Sequence, residues 1–211
     1  MRTYDGMTAE ERVSARRRRI MEAGLDLFHT QGYPRTSIRA VLRRSRLQDR
    51  YFAENFSSLD ELMAEILKEI NQEELAGCQD VLDTAGTRQD RARGILDVLA
   101  RGVTDDPRKG HVKLIESLAA GPLAAKERRR GMRHMAGLVE SLLREDWPDP
   151  GIDITAMSMA VVGGVNQILL NWADGSFQFS REGVVEQSLH LFEAVAEFGG
   201  ARDRAQGVDR W

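Results

Sequence analysis

The sequence predicts an all-α fold of about nine helices. Apolar residues recur at three- and four-residue spacing along most of the 211 residues, and no stretch alternates in the manner of a strand. Aromatic residues are scarce at 6%, and strands favour aromatic and β-branched side chains. The chain is long enough to bury a core without covalent staples.

Residues 1–13 read as a flexible polar arm. A first helix is expected over 14–31, with Ile20, Gly24, Leu27 and Phe28 on one face and Gly32 as its stop. Tyr33-Pro34 sets an extended exit. Thr36 is the expected N-cap of a short helix over 37–44, with Ile38, Val41 and Leu42 inward. A tight turn at 45–47 leads to a third helix over 49–55 that buries Phe52 and Phe56. Ser58 and Glu61 have the spacing of a capping box for a long fourth helix over 59–82, with Leu62, Met63, Ile66, Leu67 and Ile70 inward. Further helices are expected over 88–103, 108–120, 123–145, 154–173 and 181–198, and a frayed tail over 201–211. Pro107, Gly121-Pro122 and the run Trp147-Pro148-Asp149-Pro150-Gly151 punctuate them.

Charge is distributed unevenly. Net charge is −3, yet residues 1–60 hold 12 Arg and no Lys against 8 acidic residues, and the remainder of the chain balances at −7. Such asymmetry points to an end that faces nucleic acid, or to a solvated arginine-rich helix start. The single cysteine, Cys78, rules out an internal disulfide and fits a reducing cytoplasm. The N-terminus has no apolar stretch suited to a signal peptide, and no run of about 18 apolar residues suggests a membrane span.

The three short helices over 14–55 are joined by a turn of about three residues, the arrangement of a helix-turn-helix whose third helix enters the DNA major groove. Its outward residues would be Gln48, Asp49, Arg50, Tyr51, Glu54 and Asn55, of which Gln, Arg and Asn can bond base edges in pairs. Thr36 and Ser37 lie at a helix N-terminus and, with Tyr51, can reach phosphate. Arg17 and Arg18, within the run Arg16–Arg19, can add phosphate contacts. A plain three-helix bundle whose polar residues face water is the other reading of the same pattern.

The segment from Arg16 to Leu67 resembles the DNA-binding domain of the TetR family of repressors. The resemblance rests on Ile20 and Ala23, Leu27-Phe28, Gly32-Tyr33, Thr36-Ser37-Ile38, Arg50-Tyr51-Phe52, Phe56 and Leu62. It implies a DNA-binding domain over 14–58 and a helical effector-binding and dimerisation domain over 59–200. The implied function is a homodimeric repressor of a palindromic operator in double-stranded DNA, released by a small-molecule effector of largely apolar character. Three positions depart from the family pattern: Arg46 replaces a turn glycine, Ala53 a phosphate-contacting tyrosine, and Leu59 a phosphate-contacting lysine.

The helix over 154–173 is apolar on several sides, so it must be covered on several sides. Val161, Val165, Ile168 and Trp172, with Leu189 and Phe192 of the last helix, are the expected dimer interface, and Gly163-Gly164 would admit another helix closely. Candidate effector contacts are polar or adaptable groups within apolar stretches: His111, Glu116, Met132, Met135 and Asn166, with His134, Met157 and Asn171 behind them.

No catalytic residue, metal site or cofactor is expected. A di-iron site needs Glu-x-x-His pairs, which are absent, and no phosphate-binding glycine loop or nucleophile elbow occurs. A helical-bundle enzyme and an adaptor with a degenerate helix-turn-helix remain the alternatives to a DNA-binding regulator.

Overall fold

The computed structural model describes residues 8–84, 86–145, 147 and 153–208, with side-chain surroundings as far as 198. The described residues form nine α-helices and two short 3-10 helices, with no strand among them. Residues 1–7 of the expected arm, 148–152 of the expected breaker run and 209–211 of the expected tail lie outside the described residues.

Helix α1 spans Ala9–Gln31, beginning five residues before the expected start. Thr8 is its N-cap: the Thr8 hydroxyl accepts from the Glu11 N–H, and the Glu11 carboxylate accepts from the Thr8 N–H. This reciprocal box satisfies amides that would otherwise lack partners, so residues 9–13 join the helix. Gly32 ends it at φ +84°, a conformation that favours glycine. The expected extended exit is instead a 3-10 helix at Tyr33–Arg35.

Helix α2 spans Ile38–Ser45, α3 Arg50–Ala53 and α4 Leu59–Thr84. Helix α5 spans Arg88–Thr104 and α6 Pro107–Leu114, followed by the second 3-10 helix at Glu116–Ala119. The single helix expected over 108–120 is thus broken at Ile115. Helices α7, α8 and α9 span Pro122–Arg144, Ile154–Ala173 and Arg181–Val208. Helix α9 continues through Gly199-Gly200, where the sequence suggested fraying. Two glycines cost a helix about 1 kcal/mol each, which need not stop it.

The chain forms two compact units. One comprises residues 1–69 and 111–128, the other residues 70–110 and 129–211. All three divisions fall inside helices: 69/70 in α4, 110/111 in α6 and 128/129 in α7.

In the first unit, Ile20, Phe28, Val41, Phe52, Phe56, Leu62, Met63 and Leu67 are all at most 3% exposed. Arg44 of α2 pairs with Asp26 of α1 at 2.5 Å. Ile38, expected inward, is 37% exposed, because it occupies the open first turn of α2. The carboxylate of Asp60 in α4 accepts from the amides of Leu123 and Ala124 at 2.9 and 3.0 Å, capping α7 from a distant part of the sequence.

In the second unit, α9 packs against α5 and α8. The fully buried Trp147 indole donates to the Ala196 carbonyl at 2.8 Å. A Cβ on Gly164 would meet the Leu191 side chain at 2.6 Å, so the close helix here is α9 of the same chain. Cys78 is fully buried. By length and composition alone α8 is long and apolar enough to cross a bilayer, a test that the core helix of a soluble protein also passes.

Candidate nucleic-acid interface

The N-cap of α2 is Ser37, not Thr36: the Ser37 hydroxyl accepts from the Ala40 amide at 3.2 Å. Thr36 is 7% exposed and its hydroxyl donates to the Gly32 carbonyl at 2.9 Å. That bond engages its donor in closing the turn. Ser37 stays exposed.

Arg46 ends α2 in the left-handed region at φ 54°, ψ 45°. The Leu47 amide reaches back to the Leu42 carbonyl at 3.0 Å, so the glycine-type helix stop forms around an arginine. Left-handed backbone at a residue with a Cβ costs about 1 kcal/mol. The turn geometry is therefore kept, at a cost in strain.

Helix α3 has only four fully helical residues. Asp49 and Glu54 flank it with helical dihedrals, and the Tyr51 and Phe52 amides donate to the Gln48 and Asp49 carbonyls. Phe52 and Phe56 plug it into the core at 3% and 2% exposure, their rings 5.8 Å apart. Everything else on the segment is pushed outward. Gln48, Asp49, Arg50, Ala53 and Glu54 are exposed, and Tyr51 is half-buried.

Arginines order the two flanks of α3. The Arg16 and Arg50 guanidiniums stack on the Tyr51 ring at 4.7 and 4.8 Å. Arg50 donates to the Tyr51 hydroxyl at 2.8 Å, and that bond, ahead of the charge of Tyr51, pushes the Arg50 pKa up. Arg50 is thus a fixed, fully ionised guanidinium facing solvent.

Two expected contacts are spent internally. Arg17 donates to the Asn55 carbonyl at 3.0 Å, pairs with Glu65 at 2.8 Å and stacks on Phe56 at 4.4 Å. The Asn55 amide donates to the Tyr51 carbonyl at 2.7 Å. The Arg17 contacts hold α3 on α1 and α4, and the Asn55 amide bond lies within the α3 segment itself. Arg18 is exposed.

On the flank of α3 towards α2 lies a groove of about 410 Å³. Ile38, Leu42, Phe52 and Ala53 contribute its apolar surface, and Arg39 and Asp49 its charged groups. Arg39 and Asp49 are exposed, and their side chains make no hydrogen bond or ion pair within 4 Å among the described residues. Of the groove residues, Arg39 was not singled out from the sequence, Ile38 was expected inward, and Ala53 was noted only where the family pattern has a tyrosine. Their signal was position: the first turn of α2 cannot be covered when the turn to α3 is so short.

The expected effector residues do not form one group. His111 and Glu116 belong to the first unit and contact each other there. One Glu116 carboxylate oxygen accepts from the Tyr33 amide at 2.6 Å and the other lies 3.2 Å from His111 Nε2. His29 meets the His111 ring edge-on at 5.0 Å. The Tyr33 pKa is raised by burial first and by Asp60 second. Met132, Met135 and Asn166 belong to the second unit and are half-buried.

The expected dimer residues divide similarly. Val161, Val165, Leu189 and Phe192 are at most 5% exposed within the single chain, covered where α5, α8 and α9 pack together. They lie in the core of the single chain. Ile168 and Trp172 keep partial exposure, and the Trp172 indole donates to the Phe179 carbonyl.

No family model matches the sequence, and no curated protein matches it. Solved structures do match. A transcriptional regulator from Pseudomonas aeruginosa PAO1 superposes with a TM-score of 0.75 at 14% identity, over 92% of this chain and 99% of that one. A TetR-family regulator from Syntrophomonas wolfei gives 0.73 at 13% identity, over 87% and 95%. The transcriptional regulator FadR from Bacillus subtilis, solved in complex with stearoyl-CoA, gives 0.71 at 11% identity, over 85% and 97%. The chain therefore has the all-α fold of the solved TetR-family regulators.

Proposed function

We propose that this chain is a TetR-type transcriptional regulator, a repressor that binds a palindromic operator as a homodimer. The observation that carries the reading is α3. It is a short helix plugged in by two buried phenylalanines, with Gln48, Asp49 and a braced Arg50 turned to solvent. Arg50 and Arg39 can each take guanine O6 and N7, and Asp49 can accept from a cytosine amino group. Ser37 and Arg18 are placed for phosphate, which fixes register without reading sequence. The likeness to solved regulators supports the same reading.

A second copy is the natural cover for the part of α8 that stays half-exposed in the chain, at Met157, Met159, Ile168, Leu170 and Trp172. Ile168 and Trp172 would lie in that contact. Two copies related by a two-fold axis present two α3 helices about 34 Å apart, one turn of duplex. Release follows by linkage: an effector that binds better to a dimer with wrongly spaced reading helices lowers DNA affinity by the same factor that DNA lowers effector affinity. The neighbour solved with stearoyl-CoA makes acyl-CoA thioesters the first effector class to test. Such a protein works in the cytoplasm.

Selection of bound duplexes from a random pool tests the proposal. A palindrome is expected, with affinity falling steeply as salt rises because bound phosphates release counterions. Arg50→Glu should lower operator affinity by at least about 100-fold, since it exchanges a base contact for a buried repulsion. Sedimentation should show the dimer unchanged. Wild-type operator affinity in Arg50→Glu would overturn the placement of α3 on DNA.

A further inference from the structure

We propose that the groove between α2 and α3 reads the C5 methyl of a thymine, with Ile38 and Ala53 as the specificity-determining residues. The inference rests on the DNA-binding reading above and adds what the operator must contain.

Four observations meet at this groove. Ile38 is 37% exposed, although isoleucine is a residue that folding normally covers, and Ala53 on α3 is exposed beside it. Leu42 and Phe52 lie beneath, so the surface is apolar in depth and held by the core. The Arg39 and Asp49 side chains share the groove without pairing to anything described. Ala53 carries a single methyl, so no long side chain fills the space above Phe52.

An apolar surface between an unpaired donor and an unpaired acceptor matches one feature of the major groove. Guanine offers acceptors, cytosine and adenine offer donors, and only thymine offers a methyl group. Alanine is among the residues that contact it. A free apolar ligand is poorly suited, because Arg39 and Asp49 would keep their charges at its edge without partners. Duplex DNA covers the methyl-sized patch and gives both charges base-edge partners at once.

The test uses the full chain and the operator obtained by random-pool selection. Each thymine is replaced in turn by deoxyuridine, which removes the methyl and leaves the base pair intact. One thymine in each half-site should show affinity about three- to fivefold weaker for a single replacement, the loss expected for one buried methyl. Replacing both should weaken binding by about tenfold or more, since separate half-sites add. The ratio of thymine to uracil affinity should fall towards one in Ala53→Ser, and in Ile38→Ser if that variant melts as the wild type does.

Failure to enrich any duplex would overturn the DNA-binding reading and this inference with it. Enrichment of a palindrome in which no uracil replacement changes affinity by as much as about 1.5-fold would overturn the inference alone. A sensitive thymine whose ratio is the same in Ala53→Ser would also overturn it, by assigning the methyl to other residues.

Discussion

Glu116 holds the entry to the helix-turn-helix, and removing it should loosen that entry measurably. Its side chain is 15% exposed, so solvent screens its bonds little. One oxygen accepts from the Tyr33 amide at 2.6 Å, a charge-assisted bond between segments 83 residues apart. Such a bond contributes about 1.5–3 kcal/mol, and an amide left without its acceptor costs a similar amount. In Glu116→Ala we expect a loss of about 2 kcal/mol, hence a Tm lower by about 4–8 °C for a chain of this size. Protection of the Tyr33 amide against hydrogen exchange should fall by about 30-fold, at 1.4 kcal/mol per decade. Glu116→Gln keeps a neutral acceptor and should lose about half as much. Melting within 1 °C of wild type together with unchanged Tyr33 exchange in Glu116→Ala would refute this role. So would a Gln variant as damaged as the Ala variant, because the acceptor and not the bulk is what the bond requires.

Three other substitutions report on local physics. Asp60→Ala removes the carboxylate that caps α7 through Leu123 and Ala124, and should cost about 1–2 kcal/mol by thermal melting. Arg46→Gly relieves the left-handed backbone at φ 54° and should stabilise by about 1 kcal/mol, raising Tm by about 2–4 °C. The Ser57 hydroxyl, then the Ser57 amide, hold the Glu61 carboxyl below the usual carboxylate range. A folded-state pKa below the unfolded one contributes stability above the unfolded pKa and loses it as pH falls through the folded value. Glu61→Gln should therefore melt below wild type at pH 7, with the gap closing under about pH 4, which melts at both pH values will show.

What the sequence determined by itself was everything set by neighbours along the chain. Helix α8 has its expected bounds because Asp153 accepts from the Ala156 amide at the start of an unbroken apolar run. The inward faces of α2, α3 and α4 followed from periodicity at Val41, Phe52, Leu62, Met63 and Ile66, all buried. The exposed reading surface at Gln48, Asp49 and Arg50 followed too, since a helix plugged by Phe52 and Phe56 has one remaining side. Tertiary structure alone decided which polar groups stay free. Arg17 looks like a DNA contact in one dimension, but it bonds the Asn55 carbonyl and Glu65 in the folded unit. It also decided that the segment after α6 breaks at Ile115, where Glu116 reaches Tyr33. Val161, Val165, Leu189 and Phe192 became core by the same cause, because helical periodicity says that a face must be covered and not what covers it. A hydrogen bond or a helix contact across 38 to 83 residues leaves no periodic trace, and it appears only when the chain closes on itself.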